Sequence, residues 1–114
     1  MLEWLETSKK LLLLIFGFRK RFRVIGSSMI PLLQSGEEIL VDTQAYKQIY
    51  PQVGDIVIAQ LPFQGEKIVK RVAAVLEDGS CFLVGDNYSE STDSRHYGFL
   101  RIQNIIGKVT GRFP

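Results

Sequence analysis

The sequence predicts a small, mainly β domain, irregular and antiparallel, with one amphipathic helix at its N-terminus. Three observations carry this. A length of 114 residues suits one domain. After residue 20, short runs rich in β-branched residues are separated by glycine, proline and Asp-Gly turn signals, with no helical pattern alternating between them. Hydrophobic residues make up 46% and charged residues 23%, ordinary values for a chain that folds around its own core.

The first element is the helix, expected over residues 1–20. Its apolar run, Leu11 to Phe18, is too short to cross a bilayer, which takes about 20 residues. Arg19-Lys20-Arg21 stands where a secretory signal would need small residues for cleavage. On a helix, Trp4, Leu11, Ile15 and Phe18 fall on one stripe, widened by Leu5, Leu12 and Phe16. Glu3 and Glu6 near its start and the basic run at its end suit the helix dipole. Two readings fit this pattern. Residues 1–23 rest peripherally on an anionic membrane surface, or the helix docks on its own domain or on a partner.

The β domain is expected over 21–114. Its strands are Arg21 to Ile25, Glu38 to Asp42, Asp55 to Gln60, Lys67 to Val75, Cys81 to Gly85 and Ile105 to Arg112. Pro31, Gly36, Pro51, Gly54, Pro62 and Gly65 mark the connections, and Asp78-Gly79 is a hairpin turn between two apolar strands. There is no internal repeat and no low-complexity tract.

Composition closes off several chemistries. The net charge is +2, and much of the positive charge sits near the N-terminus in Lys9, Lys10, Arg19, Lys20, Arg21 and Arg23. No basic face with interleaved readers follows, which argues against a nucleic-acid partner. One cysteine, Cys81, cannot form an internal disulfide, and one histidine, His96, cannot build a zinc site, so no metal or other cofactor is expected. Cys81 lies in an apolar run and reads as a small core residue rather than a reactive thiol. The lack of cysteine pairs fits a reducing compartment.

Chemistry enters where the strand Val24-Ile25 runs into the turn Gly26-Ser27-Ser28 before Met29-Ile30-Pro31. A turn of this kind exposes a hydroxyl and bare backbone N–H groups. Serine is a weak nucleophile until a neighbouring base takes its proton, so alone Ser28 reads as a turn or cap residue. No pattern around His96 marks a Ser-His-Asp triad. Lysine is the other base, effective only when desolvation lowers its pKa. Period-2 alternation along Lys67 to Val75 places Lys70 on the face of Ile68, Val72 and Ala74, with Lys67 and Arg71 on the other. A lysine within an apolar stripe is costly unless it is neutral, paired or able to reach solvent.

Four ordered motifs extend this reading. Gly26-Ser27-Ser28-Met29-Ile30-Pro31, Gly54-Asp55-Ile56-Val57, Lys70-Arg71-Val72 and the segment from Gly85-Asp86-Asn87 through Ser91-Thr92-Asp93-Ser94-Arg95 to Gly98 together resemble the type I signal peptidase family. The resemblance runs from residue 24 to 98, and Ile106-Gly107-Lys108-Val109 is similar to the family's last strand. It implies a fold of the signal peptidase catalytic-core type and a serine endopeptidase with Ser28 as nucleophile and Lys70 as general base. It further implies that Ser91 holds the lysine amine and that Asp93 and Arg95 brace the site. The same three residues also suit a polar loop held by local hydrogen bonds. The oxyanion is expected at the Ser28 backbone N–H, with help from the turn at Gly26 and Ser27.

The chain is more compact than the family pattern. Fourteen residues, Arg71 to Val84, separate Lys70 from Gly85, enough for a hairpin only. This compact form most resembles the maturation proteases of nickel-type superoxide dismutase. That resemblance implies a precursor protein with an N-terminal pro-segment as substrate. Residues 1–23, too short to cross a bilayer yet apolar enough to rest on one, predict a cytoplasmic enzyme, soluble or peripherally attached to membrane. General leader processing is an alternative. A self-cleaving repressor shares the Ser-Met and lysine strands but not the long Gly-Asp-Asn motif. A non-catalytic chaperone that binds the precursor is a further alternative, against which both catalytic residues stand.

Overall fold

The computed structural model describes residues 2–4 and 19–113. Its strands are β1 (Leu2–Trp4), β2 (Arg19–Val24), β3 (Glu38–Asp42), β4 (Ile56–Gln60), β5 (Lys67–Val75), β6 (Cys81–Val84) and β7 (Ile105–Arg112), with a short helix α1 (Ser94–Tyr97) between β6 and β7. They form one sheet in the order β1-β2-β3-β7-β4-β5-β6, with every neighbouring pair antiparallel. The mainly β, antiparallel class expected from sequence is the class observed.

The six expected strands are present, with ends within two residues of expectation. The expectation for residues 1–20 needs correction at both ends. Leu2–Trp4 is a strand paired with β2, Leu2 opposite Val24 and Trp4 opposite Phe22, and Arg19 and Lys20 belong to β2 itself. Leu2 is buried in the core beside Phe22 and Val24. Pairing gives the backbone of β2 hydrogen-bond partners it would lack as an edge. A helical stripe does not reveal this, because the apolar residue that starts it serves a strand equally well. The remainder of the expected helix, residues 5–18, lies outside the described residues.

Alternation along β4 and β5 divides the core in two. Ile58 and Val69 pack with Phe22, Val24, Ile39 and Val41 on one side. Val57, Ala59, Ile68 and Val72 pack with Leu83 and Leu100 on the other. Full burial of a side chain such as Phe22, Ile39 or Ile58 stabilises the fold by roughly 1.5–3 kcal/mol each. Lys70 sits between Ile68 and Val72 on the second face, as the period-2 pattern requires. The Asp78-Gly79 turn closes β5 onto β6. There the Leu76 N–H donates to the Ser80 carbonyl at 2.9 Å, the Ser80 N–H donates to Asp78 Oδ1 at 2.9 Å, and Gly79 takes a φ of 87° that favours glycine.

Candidate active site

Ser28 sits in a turn anchored on both flanks. Gly26 adopts a φ of 98°, a left-handed value that turns the chain sharply after β2. Met29, next to Ser28, is buried in the core, and the Leu33 N–H donates to its carbonyl at 2.9 Å. The Gly26 N–H donates to Ser35 Oγ at 3.2 Å. The Ser27 and Ser28 N–H groups donate to no acceptor among the described residues. The turn therefore carries two adjacent unused donors at the hydroxyl, while the Gly26 donor is occupied.

A second clamp comes from Asp86 and Asn87 in the loop after β6, two residues to which the sequence reading assigned no role. The Asn87 N–H donates to the Ser28 carbonyl at 2.8 Å, and Asn87 Nδ2 donates to the Ser27 carbonyl at 3.0 Å. The Asp86 N–H points at Met29 Sδ, 3.4 Å away. Arg71 grips the Asp86 carboxylate through Nε and Nη2, both at 2.8 Å, and its Nη1 donates to the Gly54 carbonyl at 3.2 Å. One fork-shaped guanidinium thus ties the start of β4 and the loop after β6 to β5. The signal for Asp86 and Asn87 was present in the Gly-Asp-Asn motif. Their partners were not legible, because they lie far away in sequence.

Lys70 extends from β5 and is 4% exposed. Its Nζ donates to Ser91 Oγ at 2.9 Å, and the Ser91 hydroxyl donates to Asp93 Oδ2 at 2.7 Å. Burial drives the amine pKa below the ordinary lysine value, and it outweighs the opposing fields of Asp93 and Glu66. A neutral amine that gives one N–H to Ser91 keeps its lone pair for another proton.

Asp93 is fully buried and bound on every side. Burial alone would raise its pKa. Hydrogen bonds from Arg95, the Gly85 N–H and Ser91 prevail and hold the carboxyl well below the usual carboxylate range. Arg95 Nε and Nη2 meet the two Asp93 oxygens at 2.9 and 3.0 Å, and Nη2 also reaches the Tyr88 carbonyl at 2.8 Å. Asp93 caps α1 as well, accepting from the Arg95 N–H at 3.1 Å, while His96 Nδ1 accepts from the Asp93 N–H at 3.4 Å. His96 is thereby engaged in capping.

Gly85 lets these groups meet. A Cβ there would lie 2.2 Å from Ser91 Oγ and 2.7 Å from the Ser28 carbonyl oxygen, so only glycine allows both chains to approach. Ser28 and Lys70 line one open cleft of about 520 Å³, together with Gly26 and Ser27. Within it the Lys70 amine bonds to Ser91, and no hydrogen bond joins it to Ser28. All seven residues singled out from sequence thus gather around one cleft and its support. Cys81 is buried in the second core cluster, its thiol pushed up to about 11 by burial first, which suits a packing role.

Fold, cleft and comparison with known proteins define a serine endopeptidase, a hydrolase of peptide bonds. The chain belongs to the signal peptidase family, peptidase S26, whose family model matches residues 3–76 and 75–113. The probable signal peptidase I-1 of Synechocystis sp. is 31% identical over 147 residues, covering 90% of this chain and 74% of the relative. The mitochondrial inner membrane protease subunit 1 of Mus musculus is 29% identical over 104 residues, covering 74% of this chain and 63% of the relative. The probable thylakoidal processing peptidase 2, chloroplastic, of Arabidopsis thaliana is 27% identical over 132 residues, covering 77% of this chain and 36% of the relative. The two stretches matched by the family model meet at residues 75 and 76, the end of β5, where this chain makes only its tight hairpin.

Proposed function

We propose that this chain cleaves an N-terminal leader or pro-segment from a precursor protein, with Ser28 as nucleophile and Lys70 as general base. The observation that carries the reading is the buried Lys70 amine, fixed by Ser91 in the cleft that Ser28 also lines. In the first step neutral Lys70 takes the Ser28 hydroxyl proton as Oγ attacks the scissile carbonyl carbon. The oxyanion that forms is held by the Ser28 N–H, with the Ser27 N–H beside it as second donor, while Gly26 shapes the turn. The protonated lysine then gives its proton to the leaving amine, which departs with the downstream chain and leaves an acyl-serine. Water, deprotonated by Lys70 in turn, releases the acyl segment and restores the hydroxyl. Ser91 positions the amine through these steps, and Asp93 with Arg95 holds Ser91.

Leader processing is favoured by relatives named as signal and processing peptidases. Among precursors, the nickel-type superoxide dismutase precursor is the proposed substrate, supported by the compact form of the chain and its short β5–β6 hairpin. A substrate segment bound in extended form beside a strand would be held main chain to main chain. The proposed location is cytoplasmic, with any membrane contact peripheral, and no helix among the described residues is long and apolar enough to cross a membrane. The test is mass spectrometry of the dismutase precursor incubated with the protein. A single cut that frees the mature N-terminus, absent with Ser28→Ala, is the expected result. A precursor that stays intact while other leader-bearing proteins are cut would keep the peptidase and discard this substrate.

A further inference from the structure

The cleft is unusual in charge for a chain whose net charge is +2. Its charged lining residues are Lys70, Glu66 and Glu90. Lys70 is buried and acts as a neutral base on the reading above. The nearby Arg95 is committed to Asp93. Glu66, just before β5, and Glu90, in the loop after β6, form no hydrogen bond or ion pair through their carboxylates among the described residues. Two carboxylates therefore line the cleft with no ion pair to engage them among the described residues.

The rest of the wall mixes apolar and aromatic side chains with the polar Ser27, Ser28, Gln64 and Thr92. Ile25, Leu61 and Ile68 line it, together with Phe63 and Tyr97, whose rings meet edge to face at 5.6 Å. The Tyr97 hydroxyl is buried and has no hydrogen-bond partner among the described residues. Apolar and aromatic side chains in one cleft with two unengaged carboxylates suit a long aliphatic stem with a cationic head. A small apolar residue would leave both carboxylates and the tyrosine hydroxyl unmet, and an acidic residue would be repelled.

Resting on the peptidase reading, we infer that the cleft selects a substrate segment with a lysine or arginine within a few residues of the scissile bond, its stem on the Phe63–Tyr97 wall and its charge at Glu66 and Glu90. Neither carboxylate holds the fold together, so substitution at these positions leaves the scaffold in place.

The experiment incubates the full chain with a library of peptides of mixed sequence and reads the cut sites by mass spectrometry. Lys and Arg should be enriched at one fixed position near the cut bond. Matched peptides that differ only there, carrying Lys, Met or Glu, are then compared. At low salt kcat/KM for the Lys peptide should exceed that for the Met peptide by about tenfold, mainly through KM, and the ratio should shrink as salt is added. Glu66→Lys should reverse the ranking in favour of the Glu peptide, which loss of packing alone would not do. Glu66→Gln with Glu90→Gln should bring the Lys to Met ratio toward one. Ser28-dependent cutting without basic enrichment, or a ratio untouched by these substitutions, overturns the specificity and leaves the peptidase reading standing. Cutting that persists in Ser28→Ala overturns the Ser28 mechanism instead. Fluorescence anisotropy of the same three peptides bound to the chain then decides whether the cleft still prefers the basic one.

Discussion

The Lys70 amine donates a hydrogen bond to the Ser91 hydroxyl at 2.9 Å, and this contact fixes the amine in the cleft that Ser28 also lines. Ser91 spends its own proton on Asp93, so its oxygen can only accept from the lysine. The amine is thereby held in place with its lone pair uncommitted.

Ser28→Ala should abolish cleavage of a precursor peptide, a loss approaching ~10⁶-fold if it behaves as other serine proteases stripped of their nucleophile. Ser27→Ala should cost far less, because Ser27 contributes its carbonyl to Asn87 and its amide to the turn, both of which survive. Near-normal cleavage by the Ser28 variant would remove the central claim.

Lys70→Arg should be as inactive as Lys70→Ala, since a guanidinium stays protonated and cannot accept the serine proton. His96→Ala should keep most of its activity, because among the described residues His96 serves the cap of α1. The reverse pattern would point to a histidine base.

The pH profile should follow Lys70. Its pKa is lowered by burial, so kcat/KM should rise with pH through that lowered value and level off once the amine is neutral. A profile that shows no rise with pH anywhere below the ordinary lysine value would contradict this. Ser91→Ala should lower activity by about 10²-fold through misplacement of the amine. Stability has two signs. Between the lowered Lys70 pKa and the ordinary lysine value the unfolded chain binds more protons, so stability rises with pH there. The Asp93 contribution is complete above the ordinary carboxylate range, about 4, and is lost as pH falls through its lowered pKa. Urea denaturation across pH, with Asp93→Asn as control, checks both.

Gly85→Ala should damage fold and activity together. Its methyl would strike Ser91 Oγ and the Ser28 carbonyl, and overpacking of this kind costs about 1–3 kcal/mol. Activity should fall further than stability, because both sides of the cleft are pushed apart. Unchanged kinetics in a folded variant would show that the close approach is dispensable.

Leu2→Ala should lower unfolding free energy by about 2 kcal/mol or more, since Leu2 belongs to the core beside Phe22 and Val24. Deletion of residues 2–18 should cost at least as much, because β1 goes with it. A fully stable deletion variant that binds anionic vesicles less well would favour the membrane reading of residues 1–23 over docking.

The sequence by itself determined the local elements and singled out the candidate reacting groups. β3, β5 and β7 have the bounds that alternation and turn residues predict, since period 2 and Asp-Gly chemistry are properties of neighbouring residues. Lys70 stood out for the same reason, as one amine in an apolar stripe. Tertiary structure decided what distant segments do to one another. It placed β7 between β3 and β4, turned Leu2–Trp4 into a strand of the sheet, and brought Asn87 onto the carbonyl of Ser27, sixty residues away. It also set Glu66 and Glu90 in the cleft of Ser28 and Lys70. None of these follows from local pattern, because the energy of a long-range pairing depends on which surfaces the rest of the sheet leaves to be covered.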